Sequence, residues 1–159
     1  MKSENKTNVG KISMILDSNT KNKTLTDLAA LISKHKFEII QQNKIDLDNA
    51  GNLDPTLIDR LKVNEKKVDG MVASIEEVIN LEDPEGRILS QYKHPNGIYV
   101  ENRTVPFGRI LIIYESRPDV TIEAAINAFK AGNKIYLKGG KESKNTNLFW
   151  LNFGQKHCK

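Results

Sequence analysis

With 159 residues, 38% hydrophobic and 28% charged, and a formal net charge of +4, the chain has the balance of a soluble globular protein with room for one ordinary domain and no demand for two complete ones. The longest apolar run, Ile110 to Tyr114, is far too short for a bilayer span, and the polar start Met1-Lys2-Ser3-Glu4-Asn5 has no apolar stretch behind it, which argues against a membrane partner and a secretory leader. The single Cys158 excludes an internal disulfide, and the sequons at Asn5, Asn22 and Asn102 matter only after export, so the expected compartment is cytoplasmic.

The first segment bears on the positive charge. Lys2, Lys6, Lys11, Lys21 and Lys23 are scattered among Asn, Ser and Thr with no aromatic side chains between them. A nucleic-acid interface needs clustered cations and stacking platforms, so a solvated, partly frayed face is expected instead.

Helices should follow. Leu25, Leu28, Ala29 and Ile32 fall at i, i+3, i+4 and i+7, and Phe37, Ile39 and Ile40 carry the apolar pattern toward Asn43, which predicts one or two amphipathic helices. Asp54-Pro55 supplies an N-cap and a first-turn proline for a short helix with Leu57, Ile58 and Leu61 on one stripe. After Asn64, the positions Val68, Met71, Val72, Ile75, Val78 and Ile79 predict another, ended by Asp83-Pro84-Glu85-Gly86.

The period then changes. His94-Pro95-Asn96-Gly97 reads as a turn, and Ile98 to Val105 as a strand that breaks at Pro106. Ile110-Leu111-Ile112-Ile113-Tyr114 is continuous and β-branched, the composition of a strand buried on both faces in a parallel sheet. Val120 to Gly132 has Ile122, Ala125, Ile126 and Phe129 at helical spacing, and Asn133 to Lys138 returns to strand. Strand, helix and strand in about thirty residues make a βαβ unit, the frame of a nucleotide-binding α/β domain.

Several motifs fail on inspection. Asp46, Asp48 and Gly51 suggest a calcium loop, but Ala50 and Leu57 stand where oxygen ligands are required. Gly140-Lys141 hints at a P-loop, yet Ile135 replaces its first glycine and Glu142 its hydroxyl. His35, His94 and His157 lack metal-ligand spacing with Cys158. Two loops remain, Tyr114 to Thr121 and Lys138 to Ser143, each following the carboxyl end of a predicted parallel strand, where open α/β sheets bind their ligands. Gly139 and Gly140 permit close backbone approach, Lys138 and Lys141 can donate to ribose or phosphate oxygens, and Glu142 can accept from a ribose hydroxyl. A plain strand-to-helix turn with an acid in its first helical turn explains the same residues without a ligand.

The stretch Val105 to Thr121 (VPFGRILIIYESRPDVT) resembles the γ-glutamyl phosphate reductase pattern VPLGVIGVIYESRPNVT, and Ala131 to Glu142 (AGNKIYLKGGKE) resembles its SGNAVILRGGKE. Asn43 to Asp48 is similar to the family's ANAxDL, Leu57 to Leu61 to its LLDRL, and Leu81 to Pro84 and Pro95 to Gly97 to its LPDPVG and PNGL. The likeness runs in unbroken order from Leu25 to Asn147, and YESRP with KGGKE is the specific pair. Asp119 in place of Asn and Arg109 in place of an apolar residue are departures.

The resemblance implies an α/β fold of the aldehyde-dehydrogenase type, with amino-terminal helices, a β-hairpin and the start of a parallel Rossmann-type sheet, truncated. In that scheme 1–91 is the helical part of the cofactor domain, 92–107 the oligomerisation-type hairpin, 108–149 the βαβ cofactor-binding unit and 150–159 an aberrant tail. The activity implied is the NADPH-dependent reduction of L-glutamyl 5-phosphate to L-glutamate 5-semialdehyde in proline biosynthesis, through a cysteine thiolate and a thioester. The implied cofactor-binding residues are Glu115, Ser116, Arg117, Pro118, Lys138, Gly139, Gly140, Lys141 and Glu142, with Ser116 and Arg117 on the rim of the active site, and a homo-oligomer is expected. The family's catalytic cysteine lies beyond the matched region and Cys158 is not its equivalent, so the chain alone is expected to be inactive. A non-catalytic interaction or oligomerisation module, pairing through the Ile98 to Val105 edge, is the alternative.

The tail Phe149 to Lys159 departs from the family pattern. Insertion of one T ahead of the Trp150 codon would let the following codons read Leu, Val, Lys or Glu, Leu or Phe, Trp or Arg, an undetermined residue, Lys or Glu, Ala or Thr, Leu, and Gln or stop, an amphipathic helical pattern. A single-base frameshift, either real or from sequencing, is therefore expected, and the nucleotide sequence beyond the Lys159 codon decides it.

Overall fold

The computed structural model describes residues 16–157, and the side chains of 16–152. Lys2, Lys6, Lys11, Asn5 and Cys158 lie outside the described residues.

Helix α1, Ser18–Lys34, starts where Asp17 accepts hydrogen bonds from the Thr20 amide (2.9 Å) and hydroxyl (2.8 Å). Leu25, Ala29 and Ile32 are its buried stripe, as their spacing predicts. A one-residue break at His35 (φ −106°, ψ 23°) separates it from α2, Lys36–Asp48. That break resets the helical phase. The buried positions of α2 are Ile39, Asn43 and Asp46, and Phe37, expected on the apolar face, is 69% exposed.

Asp54 caps α3, Pro55–Leu61, and Asn64 caps α4, Glu65–Asn80, by accepting from the Lys67 amide at 2.9 Å. Val68, Met71, Ile75 and Val78 form the buried face of α4. Strands β1, Ile88–Lys93, and β2, Tyr99–Arg103, pair antiparallel around a turn whose Gly97 has φ +91°, a conformation open to glycine at little cost. The hairpin therefore begins at Ile88, not at residue 92, and the helical part ends ahead of it. All six residues of β1 are exposed, so no alternation marked the strand.

Strand β3, Arg109–Ile113, helix α5, Pro118–Lys130, and strand β4, Lys134–Lys138, complete the predicted βαβ unit, with β3 and β4 parallel and Ile113 opposite Lys138. Both strands alternate exposed and half-buried residues. Burial on both faces of β3 is thus corrected: Ile110 and Ile112 are half-buried, whereas Leu111 (61% exposed) and Ile113 (69%) lie on an open face beside Tyr136. A two-stranded sheet packed against α5 has only one covered side.

A 3-10 turn at Lys141–Ser143 leads into α6, Lys144–His157. The segment set apart as an aberrant tail continues this helix without interruption, and Trp150 joins the core of α1, α4 and α5 at 7% exposure. No helix among the described residues is long and apolar enough to cross a membrane.

The first turn of α1 is tied to the chain after α4 by charge. Lys21, 1% exposed, places Nζ 2.7 Å from Glu85 Oε2 and 3.1 Å from Asp83 Oδ2, and the Ser18 hydroxyl donates to Asp83 at 2.8 Å. Burial pulls the Lys21 pKa down, but the bonds to Glu85 and Asp83 outweigh it and leave it above the ordinary 10.5. Burial likewise raises Asp83, and the Glu85 amide, Ser18 and Lys21 together hold it below 3.8. Lys21 thus contributes stability that is full below pH 10.5 and lost as pH rises through its raised pKa. Asp83 contributes stability present above pH 3.8 and lost as pH falls through its lowered one. Lys21→Met should destabilise the fold by about 3 kcal/mol near neutral pH by leaving two carboxylates unpaired. Thermal melts across pH check this: the parent's stability should fall above pH 10.5, and the variant should lack that fall.

Candidate functional site

Because β3 and β4 run parallel side by side, the loops after them leave the same end of the sheet. The Tyr114 amide donates to the Lys138 carbonyl at 3.1 Å, extending the pairing one step past β3. Pro118 then opens α5, with the Val120 amide donating to the Arg117 carbonyl at 3.1 Å. The two loops are bonded directly: Ser116 Oγ donates to Glu142 Oε2 at 2.5 Å. That bond holds the Glu142 carboxyl below the usual carboxylate range, so it is an ionised acceptor at neutral pH.

The glycines are required here by contact, not by a left-handed backbone; Gly140 has φ −64°. A Cβ on Gly140 would overlap Ser116 Oγ and stand 2.8 Å from Glu142 Oε2. One on Gly139 would stand 2.7 Å from Asn147 Nδ2 and 3.0 Å from the Tyr114 hydroxyl. The space that sequence reasoning left for a ligand is therefore occupied in part by the other loop. Behind it runs a polar chain in which Tyr114 bonds Thr121 (2.6 Å), Thr121 donates to Asn147 (2.9 Å) and Asn147 to Ser143 (2.9 Å). These bonds fix both loops against the starts of α5 and α6.

Of the residues expected to bind a cofactor, Ser116, Gly140 and Glu142 meet, and Glu115 borders the same cleft. Pro118 is buried at the start of α5, while Arg117, Lys138 and Lys141 are exposed around the loops. The cleft, about 200 Å³, lies between α3 and the loops and is walled by Leu53, Leu57 and Leu61. A second, of about 380 Å³, adjoins it through Leu53 and Glu142 and carries Asp46, Lys141, Lys144 and Asn145. Arg60 and Lys144 were missed as site residues. Arg60 Nη1 lies 2.7 Å from Glu115 Oε2, joining α3 to the loop after β3. Periodicity places Arg60 off the apolar stripe of α3 and says nothing of what it meets in space.

Asp46, rejected as a calcium ligand, has a structural task. It is buried and accepts from the Asn145 amide and side chain (both 2.9 Å), the Thr146 amide (2.8 Å) and the Thr146 hydroxyl (2.6 Å). Asn43, one turn earlier, accepts from the Val63 amide at 2.7 Å and donates to the Leu61 carbonyl at 2.9 Å. These two side chains tie α2 to the end of α3 and to the start of α6.

No family model matches the chain. It is 41% identical over 146 residues to the γ-glutamyl phosphate reductase of Aquifex aeolicus, a match covering 91% of this chain and 34% of that protein. The enzyme of Dictyoglomus thermophilum is 43% identical over 140 residues, covering 87% and 34%. The crystal structure of γ-glutamyl phosphate reductase from Thermotoga maritima superposes with a TM-score of 0.82 at 38% identity, over 84% of this chain and 33% of that one. The Saccharomyces cerevisiae enzyme gives 0.77 at 29%, over 89% and 38%. The chain spans about a third of the length of these relatives and folds as their amino-terminal part.

Proposed function

We propose that this homologue of γ-glutamyl phosphate reductases serves as the cofactor-binding part of an NADPH-dependent enzyme that reduces L-glutamyl 5-phosphate to L-glutamate 5-semialdehyde. Similarity to enzymes of that name supports the reaction class. The observation that carries the cofactor reading is the joining of two strand-end loops through Ser116 and Glu142, with Lys138 and Lys141 around them. An ionised Glu142 suits a ribose hydroxyl, and the lysines suit phosphate oxygens. Lys144, on the adjoining cleft with Lys141, adds a third cation.

Bound NADPH would supply the hydride. The chain's own residues would hold its adenosine end at Lys138, Lys141 and Glu142, while Arg117 and Pro118 shape the rim where α5 begins. The stretch Leu25 to Asn147 contains no cysteine, so the thiolate that attacks the acyl phosphate has to come from elsewhere. The chain alone is accordingly proposed to bind NADPH without oxidising it when given γ-glutamyl phosphate. The exposed β1–β2 hairpin supports a proposed homo-oligomer formed through its edge. Neither nucleic acid nor membrane is part of the proposal.

Titration of NADPH fluorescence tests the reading. Gly140→Ala, which forces Ser116 away from Glu142, and Lys138→Ala should each weaken binding about tenfold, or roughly 1.4 kcal/mol. Equal affinity of the variants and the parent, or no binding by the parent, overturns it.

A further inference from the structure

We propose that Arg60 and Glu115 form a clamp for the α-carboxylate and α-ammonium groups of the amino-acid substrate; this rests on the reading of the chain as part of a γ-glutamyl phosphate reductase. The two side chains come from α3 and from the loop after β3, and they meet 2.7 Å apart at the cleft. They are 43% and 57% exposed. A pair so open to water adds little to folding. It is free to exchange partners with a ligand that offers the same two charges.

The charges of the cleft select such a ligand. Its lining holds one guanidinium, Arg60, and two carboxylates, Glu115 and Glu142, the latter kept ionised by Ser116. A pyrophosphate or a ribose phosphate placed there would meet two like charges against one opposite. An α-amino acid end carries one charge of each sign. Its carboxylate matches the planar fork of Arg60, and its ammonium matches Glu115, with Glu142 nearby adding to the attraction. Leu53, Leu57 and Leu61 supply an apolar wall for the methylene groups of a glutamyl side chain. Ser116 lines the same cleft, so the γ end of a ligand held at Arg60 stays beside the loop that borders the cofactor.

The neighbouring cleft sets two lysines, Lys141 and Lys144, against two carboxylates, Asp46 and Glu142. Glu142 and Leu53 belong to both clefts.

The test is a shift titration of the full chain, observed by NMR, with L-glutamate 5-methyl ester, whose γ end is neutral. Monomethyl glutarate, which lacks the ammonium, and methyl 4-aminobutyrate, which lacks the α-carboxylate, are the comparators. The ester should bind at least about tenfold more tightly than either, and Arg60→Ala and Glu115→Ala should each cost it about tenfold, Arg60→Ala while leaving NADPH affinity unchanged. Arg60→Lys, which keeps the charge and loses the fork, should fall between. Binding of the ester that is indifferent to Arg60→Ala, or absent in a chain that binds NADPH, overturns the clamp. A chain that discriminates among the three esters but does not bind NADPH supports the clamp and refutes the cofactor reading.

Discussion

Asp46→Ala is expected to lower the unfolding free energy by about 3 kcal/mol, because it removes a charged acceptor of several hydrogen bonds from a buried helix start. Both carboxylate oxygens are used: Oδ1 accepts from the Asn145 amide and side chain, and Oδ2 from the Thr146 amide and hydroxyl. Alanine leaves those donors without that acceptor in a region where Thr146 is fully buried. The bonds also span a long sequence separation, tying α2 to α6. Asp46→Asn keeps the shape and one oxygen acceptor and should lose about half as much. Urea unfolding followed by circular dichroism measures both, and midpoints equal to the parent's would show that α6 is held by packing alone.

The second large effect is expected at Ile126, on the face of α5 that packs against α1 and α4. Its side chain is almost wholly enclosed. Ile126→Ala removes buried methyl and methylene groups and leaves a cavity, which costs about 2–5 kcal/mol according to how far the neighbours relax. Ile113→Ala, in the adjacent β3 but on the open sheet face, removes the same atoms at an exposed position. It should stay within about 0.5 kcal/mol of the parent. The difference between the two, read in one denaturation series, measures which side of the sheet carries the core.

Much of this arrangement was legible before the structure. The cap Asp54 announced α3, where its side chain accepts from the next turn, and apolar spacing identified the buried faces of α1, α4 and α5. The parallel pairing followed from the order strand, helix, strand. Local patterns failed where distant parts of the chain decide the outcome. Phe37 continues an apolar run in sequence, yet the break at His35 turns it outward. The run Ile110 to Tyr114 has the composition of a doubly covered strand, but composition does not say how many layers pack on it. The first strand of the hairpin is exposed throughout and so leaves no periodic trace.

The site shows the same division. Resemblance and strand order pointed to the loops at Ser116 and Glu142, and the structure joins them. Gly139 and Gly140 were read as room for a ligand, whereas in the structure the other loop and Asn147 are the atoms that crowd them. Arg60 and Lys144 had no local signal as site residues: one is a charged residue of a short helix and the other the first residue of α6. Only the packing directed by Asn43 and Asp46 brings them to the clefts. Trp150, in the segment set apart as an aberrant tail, lies in the core.

The central claim is that the ends of β3 and β4 form a nicotinamide dinucleotide site, and amide shift mapping during an NADPH titration tests it most directly. The largest changes should fall on Tyr114 to Asp119 and Lys138 to Ser143, with the hairpin from Ile88 to Arg103 unmoved. Changes confined to the hairpin, or none at saturating NADPH, would contradict it.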